Sequence, residues 1–308
     1  MSNPCVFIVG CPRSGTTLLR RMVSAHPQIV ITPEAHWIPL WFEQRRGLMP
    51  DGLVTPELVS ELLAHKKFLF GLGREALMSL AGDGQPISYA SFVTGIFDLY
   101  GKARGKTAVG NKTPDAARRI GTLHALWPEA RFVHLIRDGR DVALSLMNWP
   151  SVRSKRPGTF STWNDDPVST AALWWELNVR RGREAGEALG PKLYRELRYE
   201  SLVAHPGHEC ATLCEFLGLA YDEAMLNYHE AFRAKAGRQV VHDRQPITSG
   251  LRDWRAQMPP DDVERFEAVV GTLLDELGYP RAFPHARPVA VEHATQVRNL
   301  LARKLSMA

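Results

Sequence analysis

The stretch Pro4-Cys5-Val6-Phe7-Ile8-Val9-Gly10-Cys11-Pro12-Arg13-Ser14-Gly15-Thr16-Thr17-Leu18-Leu19-Arg20-Arg21-Met22 sets the architecture. Its apolar opening, rich in β-branched and aromatic residues, reads as a buried strand. The Gly/Pro/Ser cluster reads as a turn, and the leucines at helical spacing as the helix that follows. Gly10 and Gly15 let the backbone curl with its N–H groups pointing inward. A helix opening near Gly15 or Thr16 adds the positive end of its dipole, so strand, loop and helix together form a cradle for a polyanionic phosphate. The competing reading is a Gly/Pro turn that holds no ligand. A nucleotide triphosphatase loop, G-x-x-x-x-G-K-[ST], aligned on the two glycines would carry lysine where Thr16 stands. Here the cation is Arg13, inside the loop, which favours phosphate binding over triphosphate hydrolysis.

The rest of the composition bounds the chain. With 308 residues and 44% hydrophobic content it can bury a full core, and one α/β domain with insertions is the expectation. Cys5, Cys11, Cys210 and Cys214 form no secretory framework. Cys5 and Cys11 flank the first strand, Cys210 and Cys214 sit four apart on a helix, and no histidine pair with zinc-ligand spacing lies nearby, so no metal site and a reducing compartment are expected. No apolar run approaches the roughly 18 residues of a membrane span, and the first strand begins too early to leave room for a signal peptide. A cytoplasmic protein without stable membrane insertion is the expectation. The net charge of +5 is spread rather than blocked, which removes the need for a nucleic-acid partner and is explained in part by a polyanionic ligand.

Pro12-Arg13-Ser14-Gly15-Thr16-Thr17-Leu18-Leu19 resembles the 5′-phosphosulfate-binding loop of sulfotransferases that use 3′-phosphoadenosine 5′-phosphosulfate (PAPS). Ala25-His26-Pro27 and Glu34 resemble the branch that includes the tyrosylprotein sulfotransferases and many bacterial relatives. The resemblance implies that Arg13, Ser14, Gly15, Thr16 and Thr17 hold the 5′-phosphosulfate.

Downstream, helical spacing from Thr16 stops at His26-Pro27, and Ile29-Val30-Ile31 reads as the next strand, delivering Glu34 to its carboxyl end, where open α/β sheets bind ligands. Glu34 has two readings: an N-cap or salt bridge to Arg13 or another loop cation, or the general base that removes a proton from an attacking hydroxyl. The family places its base glutamate at this distance past the loop. His36 is the local rival or helper. Lys112, in Gly110-Asn111-Lys112-Thr113-Pro114, falls at another strand end. It reads either as a solvated lysine or, as the family implies, as the cation that stabilises the leaving oxygen. Cytosolic relatives carry a histidine base two residues later, where this chain has Pro114, and that departure strengthens Glu34.

Phe132 to Ile136 reads as a further strand. It ends at Arg137, not at the aspartate of a magnesium-organising strand. Arg137 and Ser145 match the pair that holds the cofactor's 3′-phosphate in the family, and a guanidinium fork suits a phosphate. Arg140 and Asp141 read as a local ion pair, with a helper at the phosphate as the alternative role of Arg140. Tyr199-Glu200-Ser201-Leu202 resembles the family's Tyr-Glu-x-Leu segment, whose tyrosine sits near the adenine; a packed tyrosine is the alternative.

Between Pro39 and Gly105 two or three amphipathic helices are expected, a helical insertion suited to a lid or acceptor pocket. Trp149 to Pro167 reads as a loop, Ser169 to Leu189 as a long helix, and Cys210 to Leu219 and Asp222 to Ala234 as further helices. The basic loop 237–254 loosely matches one that closes over the nucleotide, with His242 where the tyrosylprotein branch has lysine. Val289 to Leu305 reads as a basic amphipathic helix packed on the body or on a second subunit, so a homodimer is one outcome.

The expectation is therefore a single domain over 1–285, with the insertion at about 39–105 and a helical tail at 286–308. Its architecture is an α/β fold with a P-loop-type central parallel sheet flanked by helices. Its implied reaction moves a sulfuryl group from PAPS to a hydroxyl of a small molecule, glycan or lipid and leaves adenosine 3′,5′-bisphosphate, without a metal. A P-loop small-molecule kinase and a non-catalytic nucleotide-binding protein are the rivals. The acceptor itself is not legible.

Overall fold

Five short runs of mostly apolar residues build the sheet of a computed structural model, which describes residues 5–64, 71–81, 86–148, 162–229 and 252–306. They are β1 (Val6–Gly10), β2 (Ile29–Thr32), β3 (Ala108–Lys112), β4 (Arg131–Ile136) and β5 (Tyr194–Arg198). Every pairing is parallel, in the order β2-β3-β1-β4-β5. β1 is thus the middle strand, and the chain crosses first to one side of it and then to the other. In such sheets that reversal opens the ligand crevice at the strands' carboxyl ends.

A parallel sheet is covered on both faces, and β1 shows why its run is apolar without a break. Phe7 and Val9 enter one core and Val6 and Ile8 the other. Phe7 pairs with Phe132 in register, and their rings stack with centroids 5.5 Å apart. The first core is closed by α2 (Trp37–Glu43), α3 (Pro56–Ala64), α5 (Tyr89–Lys102) and α6 (Ile120–Leu126), with α4 (Arg74–Ala81) packed on its edge through Leu77. The second is closed by α1 (Thr16–Ala25), α9 (Tyr199–Ala204) and α10 (Pro206–Leu217). A third joins α7 (Gly139–Met147), α8 (Pro167–Leu189), α11 (Trp254–Gln257), α12 (Pro260–Val270), α13 (Leu273–Glu276) and α14 (Pro288–Ser306), through residues such as Trp175, Phe266, Ala294 and Val297.

Several expectations are sharpened here. Among the described residues the stretch from 39 to 105 carries four helices, the first beginning at Trp37, where two or three were expected. The last of them, α5, buries Phe92, Val93, Ile96 and Phe97 in the first core beneath the sheet. The expected helix from Asp222 begins instead as a 3-10 turn, Glu223–Met225, capped by Asp222, and from 230 to 251 the chain lies outside the described residues. Most of the expected loops at 149–167 and 237–254 lie outside them too. The tail forms the expected helix, and it packs on the body. Among the described residues no helix is long and apolar enough to cross a membrane.

Candidate active site

The loop after β1 is shaped by close approach. A Cβ on Gly10 would meet the Leu135 carbonyl oxygen at 2.4 Å, and one on Gly15 would meet the Tyr199 ring at 2.4 Å. Gly15, at φ 95°, is the N-cap of α1 and offers no side chain to its first N–H groups. Between them Arg13 adopts φ 76°, a left-handed conformation that an arginine holds only when its surroundings require it. Its Nε donates to Ser145 Oγ at 3.0 Å. Ser14 is 1% exposed and its Oγ has no hydrogen-bond partner among the described residues. A buried hydroxyl without a partner carries a desolvation penalty, and this one offers the loop a donor suited to an anion.

On one side, β2 and β3 end in a knot of hydrogen bonds. Asn111 Nδ2 donates to Thr32 Oγ1 and to the Pro33 carbonyl, both at 2.8 Å; Thr113 Oγ1 donates to Asn111 Oδ1 at 2.7 Å and accepts from the Ala35 N–H at 2.8 Å. These two residues bracket Glu34 and steer it toward Lys112, the last residue of β3. Lys112 is almost fully buried. Its ammonium donates to Glu34 Oε1 and lies 3.4 Å from Thr17 Oγ1. Burial pulls its pKa down, Glu34 opposes that pull, and Arg20 and Arg21 add to it. The second Glu34 oxygen lies 3.3 Å from His36 Nε2, and His36 Nδ1 lies 2.9 Å from Asp115 Oδ1. The hydrogen bond from His36, with help from Lys112, holds the Glu34 carboxyl down at about 2 against the upward push of burial. Asp115 first and Glu34 second push His36 up to about 9. Glu34 is therefore ionised at neutral pH.

On the other side stands β4. Arg137 follows it, almost fully buried; its Nη2 lies 3.2 Å from Asp141 Oδ2 and its Cζ 4.4 Å from the centre of the Tyr199 ring. Ser145, on α7, faces the loop through Arg13. Burial, then the charges of Arg252 and Arg137, pull the Arg13 pKa down, with Glu34 opposing. Arg13 thus sits beside like charges at the edge of the loop. All ten expected site residues, Arg13, Ser14, Gly15, Thr16, Thr17, Glu34, Lys112, Arg137, Ser145 and Tyr199, thus lie on this loop, the helix it opens and the rim around it.

One expectation is overturned: Arg140 and Asp141 do not pair with each other. Arg140 is fully buried and spends its donors on Asp138 (2.7 Å), Glu267 (2.6 Å) and the Pro280 carbonyl (2.9 Å), with its Cζ 3.7 Å from the Trp254 ring. Asp141 instead takes Arg137 and the Trp254 N–H, the latter at 3.0 Å. The reason lies in the turn that opens α7: the N-cap residue Asp138 folds its carboxylate onto the Arg140 N–H and guanidinium, while Arg137, just before the helix, reaches Asp141 in the first helical turn. Arg140 therefore bolts the start of α7 to the C-terminal helices and does not reach a phosphate.

The expectations also passed over Asn111, Thr113 and Asp115, which lack a motif of their own, and Glu267, more than a hundred residues from its partner. Glu200, inside the quoted Tyr-Glu-x-Leu segment, takes the Asp138 N–H at 2.8 Å and the Tyr279 hydroxyl at 2.9 Å. His242 and the loop 237–251 lie outside the described residues. No group of three or more His, Cys, Asp or Glu able to hold a metal ion occurs among the described residues.

A family model described as "Sulfotransferase family" matches residues 4–223. Protein-tyrosine sulfotransferase 1 of Danio rerio is 28% identical over 307 residues, covering 92% of this chain and 74% of the relative. Among solved structures, the sulfotransferase domain of the Synechococcus PCC 7002 olefin synthase is 26% identical at a TM-score of 0.54, covering 84% of this chain and 89% of that one. The sulfotransferase domain of the curacin biosynthetic pathway shares the fold, with a TM-score of 0.60 at 20% identity over 91% of this chain and 99% of its own.

Proposed function

Because the chain belongs to the sulfotransferase family, we propose that it transfers a sulfuryl group from PAPS to an acceptor hydroxyl and releases adenosine 3′,5′-bisphosphate. The observation that carries this reading is the loop itself: the buried, unpartnered hydroxyl of Ser14 lies between Arg13 and the dipole of α1, close enough to Arg137 for the two arginines to repel. That is a cradle built for more than one anionic group.

PAPS, when bound, supplies the activated sulfuryl group. Arg13, Ser14, Gly15, Thr16 and Thr17 would hold its 5′-phosphosulfate, Arg137 and Ser145 its 3′-phosphate, and Tyr199 would lie by its adenine. Glu34 takes the proton as the acceptor's O–H bond breaks and its oxygen bonds to sulfur. The bond from sulfur to the 5′-phosphate breaks in the same displacement, and Lys112 neutralises the charge left on that oxygen. Lys112 lies between Glu34 and Thr17, so it can serve base and leaving group in turn. Arginine and lysine supply the positive charge, and no metal takes part in this scheme. The acceptor is a small-molecule, glycan or lipid hydroxyl, and its pocket is assigned to the helices that follow Glu34, within residues 39–105.

Calorimetric titration with adenosine 3′,5′-bisphosphate, without magnesium and beside ATP with magnesium, tests this. Binding of the bisphosphate is expected, weakened about 10- to 100-fold in Arg137→Ala, as for loss of charge-assisted hydrogen bonds. A preference for magnesium-ATP would overturn the reading in favour of a small-molecule kinase.

A further inference from the structure

We infer that His36, gripped by Asp115, is a positioning residue for Glu34: it holds one carboxylate oxygen so that the other stays aimed at the acceptor hydroxyl once Lys112 turns to the leaving oxygen. The inference rests on the reading of Glu34 as the base.

The geometry is a chain of four groups. Lys112 Nζ takes Glu34 Oε1, His36 Nε2 faces Glu34 Oε2 at 3.3 Å, and His36 Nδ1 faces Asp115 Oδ1 at 2.9 Å. Both ends of the histidine bridge stand on rigid elements. His36 is the N-cap residue of α2, whose Trp37, Ile38 and Trp41 are buried, yet its ring makes no cap hydrogen bond and turns to the two carboxylates instead. Asp115 lies in the 3-10 helix Pro114–Arg119, which is anchored by buried Pro114, Ala116 and Ala117.

Glu34 lacks such an anchor, since its side chain is 45% exposed. When Lys112 leaves, an untethered carboxylate in that position would rotate into solvent. An imidazolium donates from both nitrogens, so it can serve both carboxylates at once, a task that a neutral ring, with one donor, cannot perform. The charges around it favour that form. Glu34 and Asp115 face the ring directly. Lys112 acts on it through Glu34, with Arg20 and Arg21 behind Lys112, and Arg118 and Arg119 act through Asp115. Arg13 also reaches Glu34 electrostatically. Asp115 therefore keeps the histidine charged and the histidine keeps the base aimed.

Release of sulfate from PAPS with water as the acceptor gives a test that needs no acceptor of known identity. In that step a water O–H gives its proton to Glu34, the water oxygen bonds to sulfur, and adenosine 3′,5′-bisphosphate departs. Rates are measured from pH 3 to 9 in the wild type and in Glu34→Gln, His36→Ala, His36→Gln and Asp115→Asn. Glu34→Gln should lose about 100-fold or more. His36→Ala should lose about tenfold in kcat with the KM for PAPS unchanged, as for a misaimed group, and its acid limb should rise toward the ordinary carboxylate value near 4.3. His36→Gln, whose amide still donates to Glu34, should recover part of the rate, and Asp115→Asn should fall between.

The side-chain carboxyl resonance of Glu34, identified by its loss in Glu34→Gln, should titrate higher in His36→Ala, independently of turnover. An inactive Glu34→Gln beside a His36→Ala with the wild-type rate, pH profile and carboxyl titration overturns the inference alone. A fully active Glu34→Gln overturns the reading of Glu34 as base and the inference with it; if the wild type releases no sulfate, an unchanged Glu34 titration in His36→Ala overturns the inference.

Discussion

The carboxyl ends of β3 and β4, which flank the same loop, are built on opposite plans. At β3 the carboxylate and the imidazole are half-exposed and share partners: a buried Lys112 reaches both Glu34 and Thr17, and Glu34 and His36 are 45% and 54% exposed. At β4 the charges are locked. Arg140 and Glu267 are both fully buried, Asp138 takes Arg140 and the Trp254 indole N–H, and Asp141 joins Arg137 to the Trp254 backbone. The difference follows the work assigned to each rim. Groups that must exchange partners during a reaction need solvent and slack, whereas a group that must meet a fixed phosphate gains from pre-organisation.

The sharpest way to break this comparison is Arg140→Met. It leaves Glu267 and Asp138 as buried carboxylates without their cation, and is expected to destabilise the fold by about 3–5 kcal/mol, read as a lowered urea midpoint. Lys112→Met is the matched change on the other rim. Sulfuryl transfer should drop by about 100-fold, while the melting temperature stays within about 2 °C, because Glu34 keeps His36 and water. Comparable losses of stability in the two variants would erase the distinction.

A smaller effect sharpens it. His134 on β4 is completely buried, and burial first, then Arg183 and Arg198, push its pKa down to about 3 from an ordinary value of 6.5. Its folded pKa is depressed, so below 6.5 the unfolded chain binds a proton that the folded chain refuses until about 3. Stability should therefore fall as pH drops through that window, by at most about 1.4 kcal/mol per pH unit from this residue, and His134→Leu should flatten the slope of the urea midpoint between pH 7.5 and 5.5. His36, on the open rim, has the opposite sign. Its raised pKa makes its contribution complete below 6.5 and lost as pH rises through about 9, and its exposure keeps that contribution small.

Much of this was legible in the chain because it is local. Strand, loop and helix follow one another within Val6 to Ala25, and their order alone puts Arg13 to Thr17 at a strand's carboxyl end. Glu34, Lys112 and Arg137 were legible for the same reason, each falling at or just after the end of an apolar run. The partnership of Arg140 was not legible, because an arginine beside an aspartate looks like a pair until the N-cap turn at Asp138 and a distant Glu267 are known. The bracket of Asn111 and Thr113 around Glu34 was hidden too, since it requires β2 and β3 to be neighbours although 75 residues separate Thr32 from Ala108.

The sequence by itself determined the sheet's strands, the glycine-bounded loop after β1 and the residue types at the rim, because each follows from periodicity, glycine placement and short-range spacing. Only the tertiary structure decided which charges meet. Lys112 rests on Glu34, His36 spans two carboxylates, and Arg140 turns away from the loop into the core. Those pairings depend on strand order and on groups far apart in the chain, and electrostatic energy depends on distance in space rather than on separation along the sequence.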